Sequence, residues 1–499
     1  MPEALRVTLT LSGGASLGAY QAGATAALLV ALEHLRDDRG LDVRVDAVGG
    51  ASAGAIVGLM AAYSLLEGVS GCEVLHEAWV ERVSIDTLLR RGSRGPLSLE
   101  GVREELPDVL TNATRAPGQE HPLMLHVALT GLRGLTYEVE GLRRDEPVSA
   151  VTFADWKDFV LEPHGGPSQY FEPPLRSPLD TVLASASHPG AFAPRVLDRR
   201  EDREDYEAQG VSNLPRSGWL WYTDGGLVQS EPVGRTLSAA HRIEGPADAH
   251  RLNLMIDPRS EEPTDAERWS HRDYDATWAA GLSRALAVLP EQALYEDLRK
   301  LQRDNRRLEW LGDLERALDG HVDEGAADRL RRLIEAIDGE RDELRSGEAW
   351  VSAPGGDASA AELLRGAVER ISGLVHKDPV AVDVISPLLL AGRNDVDSVG
   401  DLLAGEMMGD FGGFLNADLR RSDFALGYES VLAWAPDGLA ACDLPQAAVD
   451  AAAQAVRESK PEDWEEVRRG EASGRDLPWR ARLRLARFLL RGVRALLRG

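Results

Sequence analysis

The chain has 499 residues, 43% of them hydrophobic, and sets 82 acidic against 56 basic side chains for a net charge of −26. Such a length supports two or three domains with cores of their own, and such a composition excludes a disordered polymer. The acidic balance argues against general nucleic-acid binding, which requires a large basic patch, and leaves room for a local basic element such as the one at the C-terminus.

The opening residues Met1-Pro2-Glu3-Ala4-Leu5-Arg6 lack the basic segment and apolar run of a secretion signal. Cys72 and Cys442, the only cysteines, form no framework to staple, so reduced thiols in a cytoplasmic setting are expected. Leu5 to Leu11 reads as a strand bounded by Gly13-Gly14, and small apolar residues from Ala19 to Leu35 predict a helix. Val43 to Val48 predicts a second strand, followed by a glycine-rich turn and a helix ending near Leu66. The uncharged stretch from Ala47 to Leu66 has the length of a membrane span. Asp46 precedes it, however, and Gly49-Gly50-Ala51-Ser52-Ala53-Gly54 interrupts it, so strand, tight turn and buried helix fit better.

Leu123 to Leu129 offers a third strand, and Pro163, Pro167, Pro173, Pro174 and Pro178 mark an irregular passage. The charged run Arg199 to Glu207 reads as a solvated loop. Trp219 to Thr223 is an aromatic strand ending at Asp224-Gly225-Gly226, and Arg251 to Ile256 is the last strand of this unit. Strands alternating with glycine turns and helices predict an α/β sheet with crossover helices. Past residue 260 the texture changes. Leu294 to Leu318 and Ala326 to Leu344 read as a helical hairpin, Gly355-Gly356 as a loop, and further helices run through Leu364 and Leu388. The expected organisation is a catalytic domain over 1–260 and a mainly α-helical region over 261–499.

Gly50-Ala51-Ser52-Ala53-Gly54 matches Gly-x-Ser-x-Gly, in which a serine sits on a strained strand-to-helix turn and flanking glycines let neighbouring backbone pass close. The helix that follows aims its N-terminal amides at developing negative charge. Gly14-Ala15-Ser16-Leu17-Gly18 matches the same pattern, so the motif alone does not choose between Ser52 and Ser16. A serine also needs a base. His34, His76, His126 and His188 precede the helical region, with His188 the least ordinary, beside Pro189-Gly190. Asp224 places a carboxylate at a strand tip with open backbone after it, a position that also suits a plain Asp-Gly turn.

In combination these segments resemble patatin-like phospholipases. Ser12 to Gly23 is similar to that family's glycine-rich oxyanion segment, Gly50 to Gly54 to its nucleophile elbow, Ala184 to Pro194 to the segment between elbow and aspartate, and Asp224-Gly225-Gly226 to its aspartate motif. Four elements in the family's order cover roughly the first half of the chain. The resemblance implies a three-layer α/β domain around a mostly parallel central sheet and a Ser52–Asp224 dyad without histidine. It also implies an oxyanion hole from the amides of Gly13, Gly14 and Ala15, with Ser16 demoted to a loop residue. Leu17 stands where the family often has a cation, Ala15 replaces a glycine, and Ser230 stands where asparagine is frequent. The implied activity is hydrolysis of lipid or other carboxylic esters. An acyltransferase using the same nucleophile, and a scaffold that keeps the fold without catalysis, are the alternatives. No histidine or cysteine cluster has metal-ligand spacing, so no metal and no organic cofactor is implied.

Phe411 to Leu415, Arg420 to Phe424 and Gly427 resemble a segment of larger bacterial patatin-related proteins, read as packing that returns to the catalytic domain, or as a lid or acyl-chain wall. Arg480 to Gly499 holds seven arginines and no acid. Arg480, Arg484, Arg487, Arg491, Arg494 and Arg498 share one helical face, with Leu485, Leu489, Val493, Leu496 and Leu497 largely opposite. Such a helix suits an anionic bilayer, which would put the protein at the inner face of the membrane, and equally suits docking onto this acidic chain.

Overall fold

In the computed structural model, residues 4–37, 41–90, 94–139, 148–246, 249–258, 295, 299–314, 316, 365, 368, 380–393, 402–405, 410–460 and 479–496 are described. The chain divides into two compact units, one formed by Met1–Leu294 with Val382–Gly499 and the other by Tyr295–Ala381.

The first unit is built on an eight-stranded mixed sheet. Its strands are β1 (Ala4–Leu11), β2 (Asp42–Gly50), β3 (Leu123–Val139), β4 (Val148–Leu161), β5 (Arg195–Asp198), β6 (Trp219–Thr223), β7 (His250–Ile256) and β8 (Asp383–Ile385). The order is β5-β6-β3-β2-β1-β7-β8, with β4 paired to β3. Pairing is parallel from β3 through β2, β1 and β7 to β8 and antiparallel among β3, β4, β5 and β6. β1 is buried along its whole length, as a central parallel strand covered on both faces must be.

Helices α1 (Gly18–Asp37) and α2 (Ala53–Glu67) follow the first two strands. α2 is buried throughout, so the apolar stretch 47–66 is strand, turn and core helix. Ala15–Arg36 also has the length and apolarity of a membrane span, but 89% of its apolar window is buried inside the fold. Shorter helices α3 (Pro178–Ser185) and α4 (Val233–Ala240) flank the sheet.

The division of the chain differs from a boundary at 260. β8 extends the sheet by pairing in parallel with β7, Leu254 opposite Asp383, and helix α5 (Ala417–Ala440) packs along α1. The crossing is tight. A Cβ on Gly23 would lie 1.9 Å from the Phe424 carbonyl oxygen, and one on Gly427 2.1 Å from that of Tyr20. Small residues at these two points let the backbones touch and bury Phe424 and Tyr428 against α1. Helix α6 (Gln446–Glu458) completes this layer. Phe411 to Gly427 is therefore packing that returns to the sheet-bearing unit.

Two expectations need correction. β3 runs ten residues past Leu129 and pairs with the long β4, which the sequence reading did not anticipate. The run Arg199 to Glu207 is solvated at Arg200, Glu201, Glu204, Asp205 and Glu207 but is helical from Arg203 and buries Arg199 and Tyr206, each 3% exposed. Asp155 takes hydrogen bonds from Arg199 Nη1 (3.2 Å), Tyr206 Oη (2.7 Å) and Tyr222 Oη (2.6 Å), which satisfies the buried charge. Burial holds the phenols of Tyr206 and Tyr222 well above their ordinary pKa, so both act as neutral donors.

In the second unit, residues 299–314 are helical, Leu308 and Leu311 pack with Val368, and Asn305 exchanges two hydrogen bonds with the backbone of Val380. The helix expected over 326–344, the loop at 355–356 and Leu364 lie outside the described residues.

Candidate active site

β3 brings the two key strand ends together. Val127 pairs with Gly50 at the end of β2, and Thr130 pairs with Thr223 at the end of β6, while β4 occupies the other edge of β3 at both positions. β2 and β6 therefore approach head to head along one edge, and the residues that leave them, Ser52 and Asp224, meet in the gap.

Ser52 leaves β2 with φ 53° and ψ −124°, a left-handed conformation rare for a residue with a side chain and costing about 1–3 kcal/mol. The turn seats against the end of β1: a Cβ on Gly54 would lie 2.4 Å from the Ser12 carbonyl oxygen and 2.5 Å from that of Leu11. Ser52 Oγ donates to Asp224 Oδ2 at 2.7 Å. The other carboxylate oxygen accepts from Gly226 N at 2.8 Å, which fixes the plane of the group. Both residues are buried, Ser52 at 7% and Asp224 at 4% exposure.

One short segment holds both partners. Ser185 Oγ accepts the Ser52 amide at 2.9 Å and donates to the Ala128 carbonyl at 2.7 Å, tying the elbow to β3. Two residues on, the Ser187 carbonyl accepts the Asp224 amide (3.1 Å) and Thr223 Oγ1 (2.8 Å). The sequence marked Ala184 to Pro194 as a family-like segment but assigned no role to Ser185 or Ser187. Their spacing on the end of α3 and its exit turn was the available signal.

In the glycine loop, the three amides named from the sequence are in unlike settings. The Gly13 amide donates to the Ser230 carbonyl at 3.1 Å, so it is not available to an oxyanion in this conformation. Among the described residues, no group accepts the amides of Gly14, Ala15 or Ala53. Ala15 has φ 43°, and Ala53 begins α2, directly after Ser52. Of these amides only that of Gly13 has a backbone acceptor among the described residues, so Gly14, Ala15 and Ala53 are the ones open to a ligand in this conformation.

Ser16 is wholly buried; its Oγ accepts from Gly413 N at 3.0 Å and faces the Gly405 carbonyl at 3.5 Å. Leu17, 1% exposed, lies against the same 405 segment, in an apolar setting where an unpaired cation would be costly. Arg420 reinforces this contact by donating to the carbonyls of Val80 (2.7 and 3.0 Å) and Gly413 (2.9 Å), and Asp423 accepts from Ala404 and Gly405.

Among the described residues no histidine bonds to Ser52. His126 is paired with Asp158 on β4 at 2.6 Å, and His76 packs edge-on to Phe424. His188 accepts from Gly190 N through Nδ1 and stands edge-on to Phe411, which also neighbours Phe192 and Phe414. An aromatic group thus adjoins the segment that holds Asp224. Also among the described residues, no three His, Cys, Asp or Glu side chains cluster to hold a metal.

The domain is thus an α/β fold with a mostly parallel central sheet, a serine on a left-handed strand-to-helix turn and a carboxylate at an adjacent strand tip. Residues 9–237 match the model of the Patatin-like phospholipase family. The match supports a lipid hydrolase at family level. No curated protein matches the chain. Among solved structures, VipD from Legionella pneumophila aligns over 96% of this chain and 94% of its own at 12% identity, with a TM-score of 0.22, a likeness too low to carry an argument.

Proposed function

We propose that the chain is a serine acyl hydrolase that cleaves carboxylic esters of lipids through Ser52 and Asp224. The observation that carries this reading is the 2.7 Å hydrogen bond from Ser52 Oγ to Asp224 Oδ2, with Gly226 N on the other carboxylate oxygen. Ser52 Oγ attacks the ester carbonyl carbon as its proton passes to Asp224. The carbonyl oxygen becomes an oxyanion held by the amides of Gly14, Ala15 and Ala53, the last of them reinforced by the dipole of α2. The carbon–oxygen bond to the leaving alcohol breaks, and that alcohol takes the proton from Asp224. Water then attacks the acyl-enzyme, gives a proton to Asp224, and releases the fatty acid as Ser52 recovers its own.

The same acyl-enzyme could pass its acyl group to an alcohol, so the product decides between hydrolase and acyltransferase. Against the scaffold reading, Leu17 lies in the core and leaves the contact between Ser52 and Asp224 intact. The test is incubation of the purified full chain with mixed phospholipid–detergent micelles, with and without added glycerol, and quantitation of products. Free fatty acid with lysophospholipid, abolished by Ser52→Ala, is expected. Transfer to glycerol as the main outcome, or equal turnover by Ser52→Ala, contradicts the proposal.

A further inference from the structure

Helix α7 (Trp479–Leu496) ends the described chain and belongs to the sheet-bearing unit. A terminal helix that merely docks on its own protein turns its apolar side inward. Here the described large apolar side chains face outward. At about 100° per residue, Trp479, Leu483 and Leu490 fall on one narrow stripe, and they are 70%, 46% and 59% exposed. Leu489, 56% exposed, and Arg482 flank the stripe on one side and Arg487 on the other, both arginines exposed. The opposite side faces the protein: Arg491 Nη1 donates to the Arg90 carbonyl at 2.8 Å, and Gly492 sits over Pro96.

We infer that α7 is a docking helix for an anionic lipid bilayer. The stripe supplies a tryptophan and leucines for the headgroup–acyl boundary, and its flanks supply guanidinium groups at the level of lipid phosphates. Charge selects this occupant. The chain as a whole, at −26, is repelled by an anionic surface, while its last twenty residues carry seven arginines and no acid. An acidic protein surface would match the arginines but not the exposed leucines Leu483, Leu489 and Leu490.

The mount of the helix connects it to the site. Arg90 and Pro96 lie in the segment whose Leu97 amide donates to the Ala191 carbonyl at 2.9 Å. Ala191 belongs to the stretch that begins at Ser187, which holds the Asp224 amide. Docking through α7 therefore brings the wall of the Ser52–Asp224 site to the bilayer. The docking stands independently of catalysis; its use for presenting substrate rests on the acyl hydrolase reading.

The test is co-sedimentation of the full chain with vesicles of phosphatidylcholine alone or with added phosphatidylglycerol. It is run on the wild type, on Trp479→Ser/Leu483→Ser/Leu490→Ser, and on Arg482→Glu/Arg487→Glu. Wild type should pellet with phosphatidylglycerol vesicles and not with phosphatidylcholine alone, and each variant should weaken binding by roughly tenfold or more. Thermal melts matching wild type, and unchanged hydrolysis of a water-soluble monomeric ester, show that the variants are folded and their sites intact, while hydrolysis of vesicle lipid falls. If no ester is hydrolysed by any form, the catalytic reading fails but the sedimentation result still judges the helix. Wild type that ignores phosphatidylglycerol vesicles at low salt, or variants that bind like wild type, overturns the proposal. So does a stripe that instead drives self-association, seen as a dimer lost in the triple variant with no vesicle binding.

Discussion

Residues 14–18 and 50–54 carry one pattern, glycine-x-serine-x-glycine, after neighbouring parallel strands and before a helix, yet the two serines occupy unlike settings. At the second copy the serine itself takes the left-handed backbone, with φ 53°, and its hydroxyl meets a carboxylate. At the first copy the left-handed residue is Ala15, one position earlier, and a 3-10 turn over Ala15–Leu17 turns Ser16 toward the returning C-terminal segment. A shift of one residue in where the strain falls separates a candidate nucleophile from a structural clasp. Local sequence makes the turn; what faces it, some 170 or 400 residues away, gives the serine its task.

The comparison breaks most easily at Asp224. Asp224→Asn keeps the shape but removes the base, and kcat should fall by about 10²–10⁴-fold, whereas Ser16→Ala should stay within a few-fold of wild type. Steady-state kinetics on a soluble ester checks both. Ser185→Ala comes next. It removes the acceptor of the Ser52 amide, so kcat should drop by roughly 10- to 100-fold at nearly unchanged KM. An equal loss in Ser187→Ala, whose hydroxyl bonds the Leu183 carbonyl while its backbone holds Asp224, would argue against so specific a role.

Ser16→Ala should reveal itself in stability instead. It leaves the buried Gly413 amide without its acceptor, at a cost of about 1–3 kcal/mol read from denaturant melts. The smallest effect concerns acid. Arg200 and Arg176 hold the Asp198 carboxyl well below the usual carboxylate range; at Asp202, burial opposes ionisation, but Arg199 and Lys157 outweigh it. Carboxylates held low in the folded state stabilise it above their unfolded pKa of about 3.9, and that contribution is lost as pH falls through the folded values. The melting temperature of wild type should start to drop near about pH 4, and the curve of Asp198→Asn should meet it only as pH falls through the lower folded value of Asp198. Arg199 also bonds Tyr222, two residues before Asp224, so acid should loosen the strand behind Ser52's partner.

Much of the framework was legible because its signals are local. The apolar runs of β1, β2, β6 and β7 and the small-residue helix α1 sit close to where periodicity and glycine turns put them. The pairing of Ser52 with Asp224 came from the order of four motifs, which no single motif specifies. What stayed hidden was long-range. The Gly13 amide is taken by a carbonyl at Ser230, and no pattern near Gly13 announces it. β8 is only three residues long, too short for alternation to show, so the return of the chain to the sheet after residue 382 could not be read. α5 is buried on most sides around Phe424, Tyr428 and Val431, which blurs the one-sided period that marks a surface helix. Arg199 looked solvated because its partners, Asp155, Tyr206 and Tyr222, come from three separate elements.

The contrast between the two serines is tested most directly by reacting the folded chain with a fluorophosphonate and mapping the adduct by peptide mass spectrometry. The adduct should lie on the peptide containing Ser52, persist in Ser16→Ala and vanish in Ser52→Ala. An adduct on Ser16, or labelling that survives Ser52→Ala, would contradict it.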